Sequence, residues 1–392
     1  MSPRSPSTDA TRTACSHKNR LKTWLADGTP RVIMLDKVFD FVGSAGSETA
    51  QGCRPPSNTC PTSGGQDAIN GANWCTNAKY PPQEVTYDKA ALTPLEVKSN
   101  KSIVGVGSAG VLRGIGLRLA NGVRNVIIQN IHITQLNPKL IWGGDAITLA
   151  GTDMVWIDHC KVPSSNRSQV PPDGRGSGLS AANASQFSLI GRQMIVTGYE
   201  AAGRVSLTNN EFDGKTSWSA TCNGQHYWSM LFYGSDDKIT MAGNYLHNLS
   251  GRAPKVAGTG DVTLHAVNNF FSNMNGNSFD VGVGASAWVE GNVFENVLRP
   301  FASGSYTAGG MVYDKSGTGC RSFVGRSCVA NSVSDCGSFP TIDNTQIFAK
   351  FSGASVFKAA PISGVKASVL ANAGIGKLSS IRKRGRAGRS GF

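Results

Sequence analysis

Residues 204–214 read RVSLTNNEFDG, and the same design returns as KITMAGNYLHN at 238–248, TLHAVNNFFSN at 263–273 and SAWVEGNVFEN at 286–296. Each is a short run of alternating apolar residues ended by an asparagine, the period of two that a pleated strand uses and a helix does not. Working outward, NVIIQNIHITQ at 125–135 and MVWIDHCKV at 154–162 carry the same alternation. Taking Asn130, His159, Asn210, Asn244, Asn269 and Asn292 as equivalent gives intervals of 29, 51, 34, 25 and 23 residues. A repeat in the mid-twenties, built of β-branched runs and polar turns, predicts an all-β chain wound as a right-handed, single-stranded parallel β-helix. Asparagines at one turn position of successive coils can pass side-chain amide hydrogen bonds along the stack, which is a structural reason for them to recur.

The interval of 51 holds one coil and an extra segment. Residues 163–187, PSSNRSQVPPDGRGSGLSAANASQF, have the Pro/Gly/Ser composition of a loop and no strand pattern, and are expected to be an insertion, either a lid or a translated intron. Two glycosylation sequons, at Asn166 and Asn183, fall inside it; the other two, at Asn100 and Asn248, are the expected glycan sites. The organisation expected is a basic, irregular segment 1–21, one β-helix domain over 22–376 and a basic tail 377–392.

Forty-seven glycines, 40% hydrophobic and only 16% charged residues in 392 favour a β-rich, turn-rich fold with a large core and exclude global disorder. The net charge of +13 sits mainly in the ends: residues 1–31 contribute +4 and residues 377–392 contribute +6, leaving +3 for the body. That distribution argues for solvated tails and against a nucleic-acid partner. No apolar run reaches the roughly 18 residues of a membrane span, so no membrane partner is expected, and the first twenty residues lack the apolar stretch of a secretion signal. The nine cysteines, Cys15, Cys53, Cys60, Cys75, Cys160, Cys222, Cys320, Cys328 and Cys336, instead predict disulfides and a secreted protein whose start is truncated or mis-assigned. An odd count leaves at least one thiol unpaired within the chain.

NPKLIWGGDAITL (137–149), MVWIDHCKV, LIGRQ (189–193), RVSLTNNEFDG, SATCNGQHYW (219–228), SGRAPKV (250–256) and LHAVNNFF (264–271) together resemble fungal pectin lyases of the pectate lyase superfamily. The resemblance runs from LKTWLADGTPRVIMLDKVFDF to VLANAGIGKL, interrupted by residues 163–187. It implies a monomer acting on pectin, cleaving α-1,4-linked, methyl-esterified galacturonan by β-elimination and leaving an unsaturated sugar at the new non-reducing end. It places the catalytic arginine at Arg252 and implies the disulfides Cys53–Cys75, Cys60–Cys222 and Cys320–Cys328, leaving Cys15, Cys160 and Cys336 without partners.

Elimination removes the proton from C5 and expels the oxygen on C4, so the charge that builds on the carboxyl group must be stabilised. Calcium-dependent relatives recruit a metal; a methyl ester carries one charge less and lets hydrogen-bond donors suffice. The relatives' metal carboxylates fall here on Gly143, Arg192 and Val196, leaving only Asp145 where calcium wants six to eight oxygens. No metal and no cofactor are therefore expected. Arg192 is expected to donate to the ester carbonyl or pair with Asp145, and Lys255 with Arg192 to crowd Arg252 and disfavour its charge. Trp74, Trp142, Tyr227 and Trp228 are expected to bind substrate by stacking on sugar faces. Cleft aromatics of the family are missing at Pro56, Ala78 and Leu231, while His159 and His226 read as structural. The rival readings are a calcium-dependent pectate lyase, a polygalacturonase-type hydrolase using Asp145 and Asp158, and an inactive carbohydrate-binding β-helix.

Overall fold

A computed structural model of the chain describes residues 12–62, 64–162, 189–258, 260–307 and 309–378. Alternating apolar runs become strands that pair in parallel with the strands of the next coil, and each coil contributes to three faces. The face that carries the site includes the start of Ile147–Asp158, then Ile195–Thr197, Met230–Phe232, Lys255–Val256 and the end of Phe270–Val281. Across it Thr148, Val196, Leu231, Lys255 and Asp280 stand in one register. A second face runs through Gly203–Thr208, Asp236–Ala242, Asp261–Val267 and Ala285–Glu290, and a third through Glu211–Asp213, Tyr245–His247 and Val293–Phe301. The fold is a parallel β-helix, as the repeat predicts.

Because side chains alternate across a strand, every second residue points inward and stacks on its equivalent one coil away. Val126, Val155, Val205, Ile239, Leu264 and Ala287 form one such column, all of them buried. Asn210, Asn244, Asn269 and Asn292 form the expected ladder: each main-chain N–H donates to the amide oxygen of the asparagine one coil on, at 2.9–3.0 Å. The ladder ends at Asn331 and begins at Cys160, whose N–H donates to Asn210 Oδ1 at 2.9 Å. Asn130 and His159 are therefore not rungs. They stand one position earlier, with φ of 56° and 49°, at the left-handed turn residue that Asn209 and Asn268 occupy in later coils.

Residues 12–21 are not irregular. Arg12–Ala14 pairs in parallel with Arg31–Leu35, and the helix Lys18–Ala26 buries Leu21 and Leu25 against the first coil, closing the apolar column at that end. The expected insertion, residues 163–187, with Asn166 and Asn183, lies outside the described residues. Around it, the offset between paired residues rises from 29 at His132↔Lys161 to 54 at Leu136↔Ile190, so 25 residues are additional to the coil. Among the described residues no helix is long and apolar enough to cross a membrane.

Candidate active site

Beside the site-bearing face stands a small sheet of Ser47–Cys53, Asp67–Ala68, Pro82–Asp88 and Leu140–Ile141. It is stapled by Cys53–Cys75, and Cys60–Cys222 ties the same region to the loop that ends in Trp228; Cys320 pairs with Cys328 far away. Cys15, Cys160 and Cys336 are free thiols.

Arg192 lies over Trp142, its guanidinium carbon 3.8 Å from the ring centre and its Nη1 3.6 Å from Asp145 Oδ2. The other oxygen of Asp145 accepts the Gln193 N–H at 2.8 Å. Burial pushes the Asp145 carboxyl up against the opposing pull of Arg192, and burial, with the like charge of Arg252 adding to it, pushes the Arg192 guanidinium down. Arg252 rests on a second indole, 4.7 Å from the centre of Trp228 and 5.7 Å from that of Tyr227. Among the described residues Arg252 makes no ion pair, and its Nε is buried without a hydrogen-bond partner. Its backbone has φ of 49°, a conformation that a long side chain seldom adopts and that surrounding structure must enforce. The enforcement is visible: Met230 N–H donates to Arg252 O at 2.6 Å, and Ala253 N–H to Ser278 O at 3.0 Å. Gly251 is required by packing, since a Cβ there would stand 2.4 Å from the Tyr227 ring.

Lys255 does not contribute free charge. Its Nζ pairs at 2.9 Å with Asp280, its neighbour in the next coil. Trp74 stands beside Trp142, 6.2 Å away, and Tyr80 packs edge-on against Trp74 at 5.2 Å. His226 is buried, with Nε2 2.7 Å from Arg192 O and 3.0 Å from Trp228 O, and burial pulls its pKa down to about 4. It is a neutral brace between the two segments. Pro56 and Ala78 are exposed positions without aromatic rings. Of the glycan sites, Asn100 is exposed, whereas Asn248 Nδ2 already donates to Asp213 Oδ1 at 2.8 Å, which weighs against modification there.

The donor set does not fit calcium. A Cβ on Gly143 would come within 2.6 Å of the carbonyls of Asn137 and Leu140, so no side chain fits there; Val196 offers no oxygen; and the lone Asp145 faces a guanidinium. Asp145 and Asp158, the pair a hydrolase would need, are also apart. Asp158 belongs to the second-face end of Ile147–Asp158, held by Thr208, Gln129 and His159.

Sequence reasoning missed Tyr80, Gln66 and the edge-to-face pair Tyr199–Tyr233, whose centroids are 6.0 Å apart just beyond Ile195–Thr197 and Met230–Phe232. Tyr199 is 85% exposed and within electrostatic reach of Arg192. The tyrosines could have been sought as the aromatics nearest the strand ends; Gln66 has no comparable signal. Cavities of about 350 and 530 Å³ exist elsewhere, beneath the C-terminal segments on the other faces. Arg192, Arg252 and their aromatic platforms Trp142, Tyr227 and Trp228 line neither cavity and are partly exposed.

Fold and site together define a parallel β-helix enzyme scaffold carrying two arginines on aromatic platforms. Residues 69–378 match the pectate lyase family, and the chain belongs to it. It is 50% identical over 374 residues, 94% of this chain and 72% of the relative, to "Probable pectin lyase F" of Aspergillus niger. It is 44% identical over 390 residues, 94% of this chain and 91% of the relative, to "Probable pectin lyase E" of Aspergillus fumigatus. Among solved structures it resembles a pectate lyase of a Bacillus species in complex with trigalacturonate, with a TM-score of 0.54, 20% identity and coverage of 93% of this chain and 94% of that one. A pectate lyase of Xanthomonas campestris gives a TM-score of 0.51 at 16% identity over 95% and 96% of the two chains. These two likenesses bear on the fold.

Proposed function

We infer that this chain is a pectin lyase, cleaving methyl-esterified α-1,4-galacturonan by β-elimination without a metal. The observation that carries this reading is the pair of guanidiniums on indole platforms beside a single carboxylate, Arg252 being free of any ion pair among the described residues. The names of its relatives at 44–50% identity agree with it. Arg192 stabilises the charge that develops on the ester carbonyl as C5 loses its proton, and Asp145 orients Arg192. Arg252 takes that proton, which requires a neutral guanidine at the moment of transfer. The C5–H electrons form the C4=C5 double bond, and the C4–O bond breaks with its electrons going to the leaving sugar's oxygen, which is then protonated. Trp74, Trp142, Tyr227 and Trp228 supply apolar faces for the sugars. A polymeric plant substrate and three disulfides fit a secreted protein.

Mass spectrometry of the products of esterified pectin tests the reaction type. Elimination gives new non-reducing ends one water lighter than hydrolysis gives; hydrated ends throughout would overturn the reading.

A further inference from the structure

Gln66 is completely buried and spends its side-chain amide on three separate segments around the two arginines. Nε2 donates to Pro138 O at 3.0 Å and to Gly191 O at 3.2 Å, while Oε1 accepts the indole N–H of Trp228 at 3.0 Å. The orientation is forced, because carbonyls only accept and an indole N–H only donates. Each contact leads to an arginine. Pro138 opens the stretch that carries Trp142, the platform 3.8 Å beneath Arg192; Gly191 is the residue before Arg192; and Trp228 is the platform 4.7 Å beneath Arg252.

Gln66 is itself held fast. Its carbonyl accepts from Asn58 Nδ2 at 3.1 Å, Asp67 N–H donates to Lys139 O at 3.1 Å, and Asp67 pairs with Arg54. A Cβ on Gly65 would stand 1.9 Å from Asn58 O, so the turn that delivers Gln66 admits glycine and little else.

We propose that Gln66 is a positioning residue for the elimination, fixing the two indole platforms, and through them the two guanidiniums, relative to each other. The proposal rests on the reading of the paired arginines as an eliminating site. Proton removal and charge stabilisation act on adjacent atoms of one sugar, C5 and its ester group, so the two arginines must be aimed together. Both side chains are long and rotamer-rich, and misplacement by about 1 Å costs on the order of a hundredfold in rate. His226 braces the same two segments through their main chains; Gln66 is the brace that reaches an indole ring.

The test compares kcat and KM on esterified pectin for the full chain, Gln66→Met and Gln66→Glu. Methionine matches the volume and makes none of the three bonds. For a folded Gln66→Met protein, kcat should fall roughly 30-fold or more with KM changed by less than about threefold, because aim is lost while the sugar-binding faces remain. Glutamate keeps the acceptor for Trp228 but, once ionised, turns oxygen toward two carbonyls. Its activity relative to the unmodified chain should therefore be best at acidic pH, where a protonated carboxyl can donate to one of them, and decline as pH rises. If Gln66→Met does not fold, that pH profile decides alone. Unchanged kcat in Gln66→Met, or a Gln66→Glu profile parallel to that of the unmodified chain, overturns the proposal while leaving the functional reading intact. An unmodified chain that makes no unsaturated product overturns both.

Discussion

Arg252 has a left-handed backbone, rests on an indole and has Arg192, rather than a carboxylate, as its charged neighbour. A structural arginine would tolerate lysine through retained charge, but a base acting at a set distance would not. Arg252→Lys should lower turnover by about a hundredfold or more, roughly 3 kcal/mol, with substrate binding largely kept, and steady-state kinetics on esterified pectin will read both. Arg192→Ala should weaken turnover and binding together, since Arg192 is proposed to meet the ester before and during proton loss. Asp314 makes a separate prediction, on stability. It is 6% exposed, its Oδ2 has no hydrogen-bond partner, and burial lifts its pKa from 3.8 to about 6. The folded protein thus holds this proton more tightly than the unfolded chain, so stability is lost as pH rises through about 4 to 6. Asp314→Asn should remove that loss, raising stability at pH 7 by on the order of 2 kcal/mol and hardly changing it below the unfolded pKa, as denaturant titrations at the two pH values will show.

The asparagine ladder is the element that sets the coil. Asn269 is fully buried; its Oδ1 accepts the N–H and Nδ2 of Asn244, and its Nδ2 donates to Met241 O and Asn292 Oδ1, all at 2.9 Å. Asn269→Ala leaves the Asn244 N–H and the Met241 carbonyl buried and unpaired, and should cost about 3 kcal/mol in urea unfolding. The ladder was legible because asparagine after an alternating run is a local pattern. Its first rung was not, because Cys160 joins the ladder through its main-chain N–H and carries a thiol where the other rungs carry an amide, and Asn130 and His159 mimic the pattern from the adjoining turn position. The extra 25 residues between Lys161 and Ile190 were legible as a broken period. Deleting residues 163–187 should leave a cooperatively folded protein with the activity of the full chain; unfolding or loss of that activity would make the segment integral.

At the scale of the whole molecule, one continuous stack supplies a rigid floor, and a small sheet and loops are added to one side of it. The floor could be read from the sequence because successive coils are local neighbours. The two arginines, Asp145 and the indoles were legible only through resemblance, and Gln66 through neither route: its partners are 72, 125 and 162 residues away, and only the folded stack brings them together. Pairing of Lys255 with Asp280 was hidden for the same reason, since their 25-residue separation becomes one register step. The central claim is that arginine charge takes the place of a metal in eliminating methyl-esterified galacturonan. Its most direct test is the ultraviolet absorbance of the C4=C5 double bond during digestion of highly esterified and de-esterified pectin, each with and without a calcium chelator. A rise that is faster on the esterified polymer and unchanged by chelator is the predicted result; a rise only on the de-esterified polymer, abolished by chelator and restored by calcium, would contradict it.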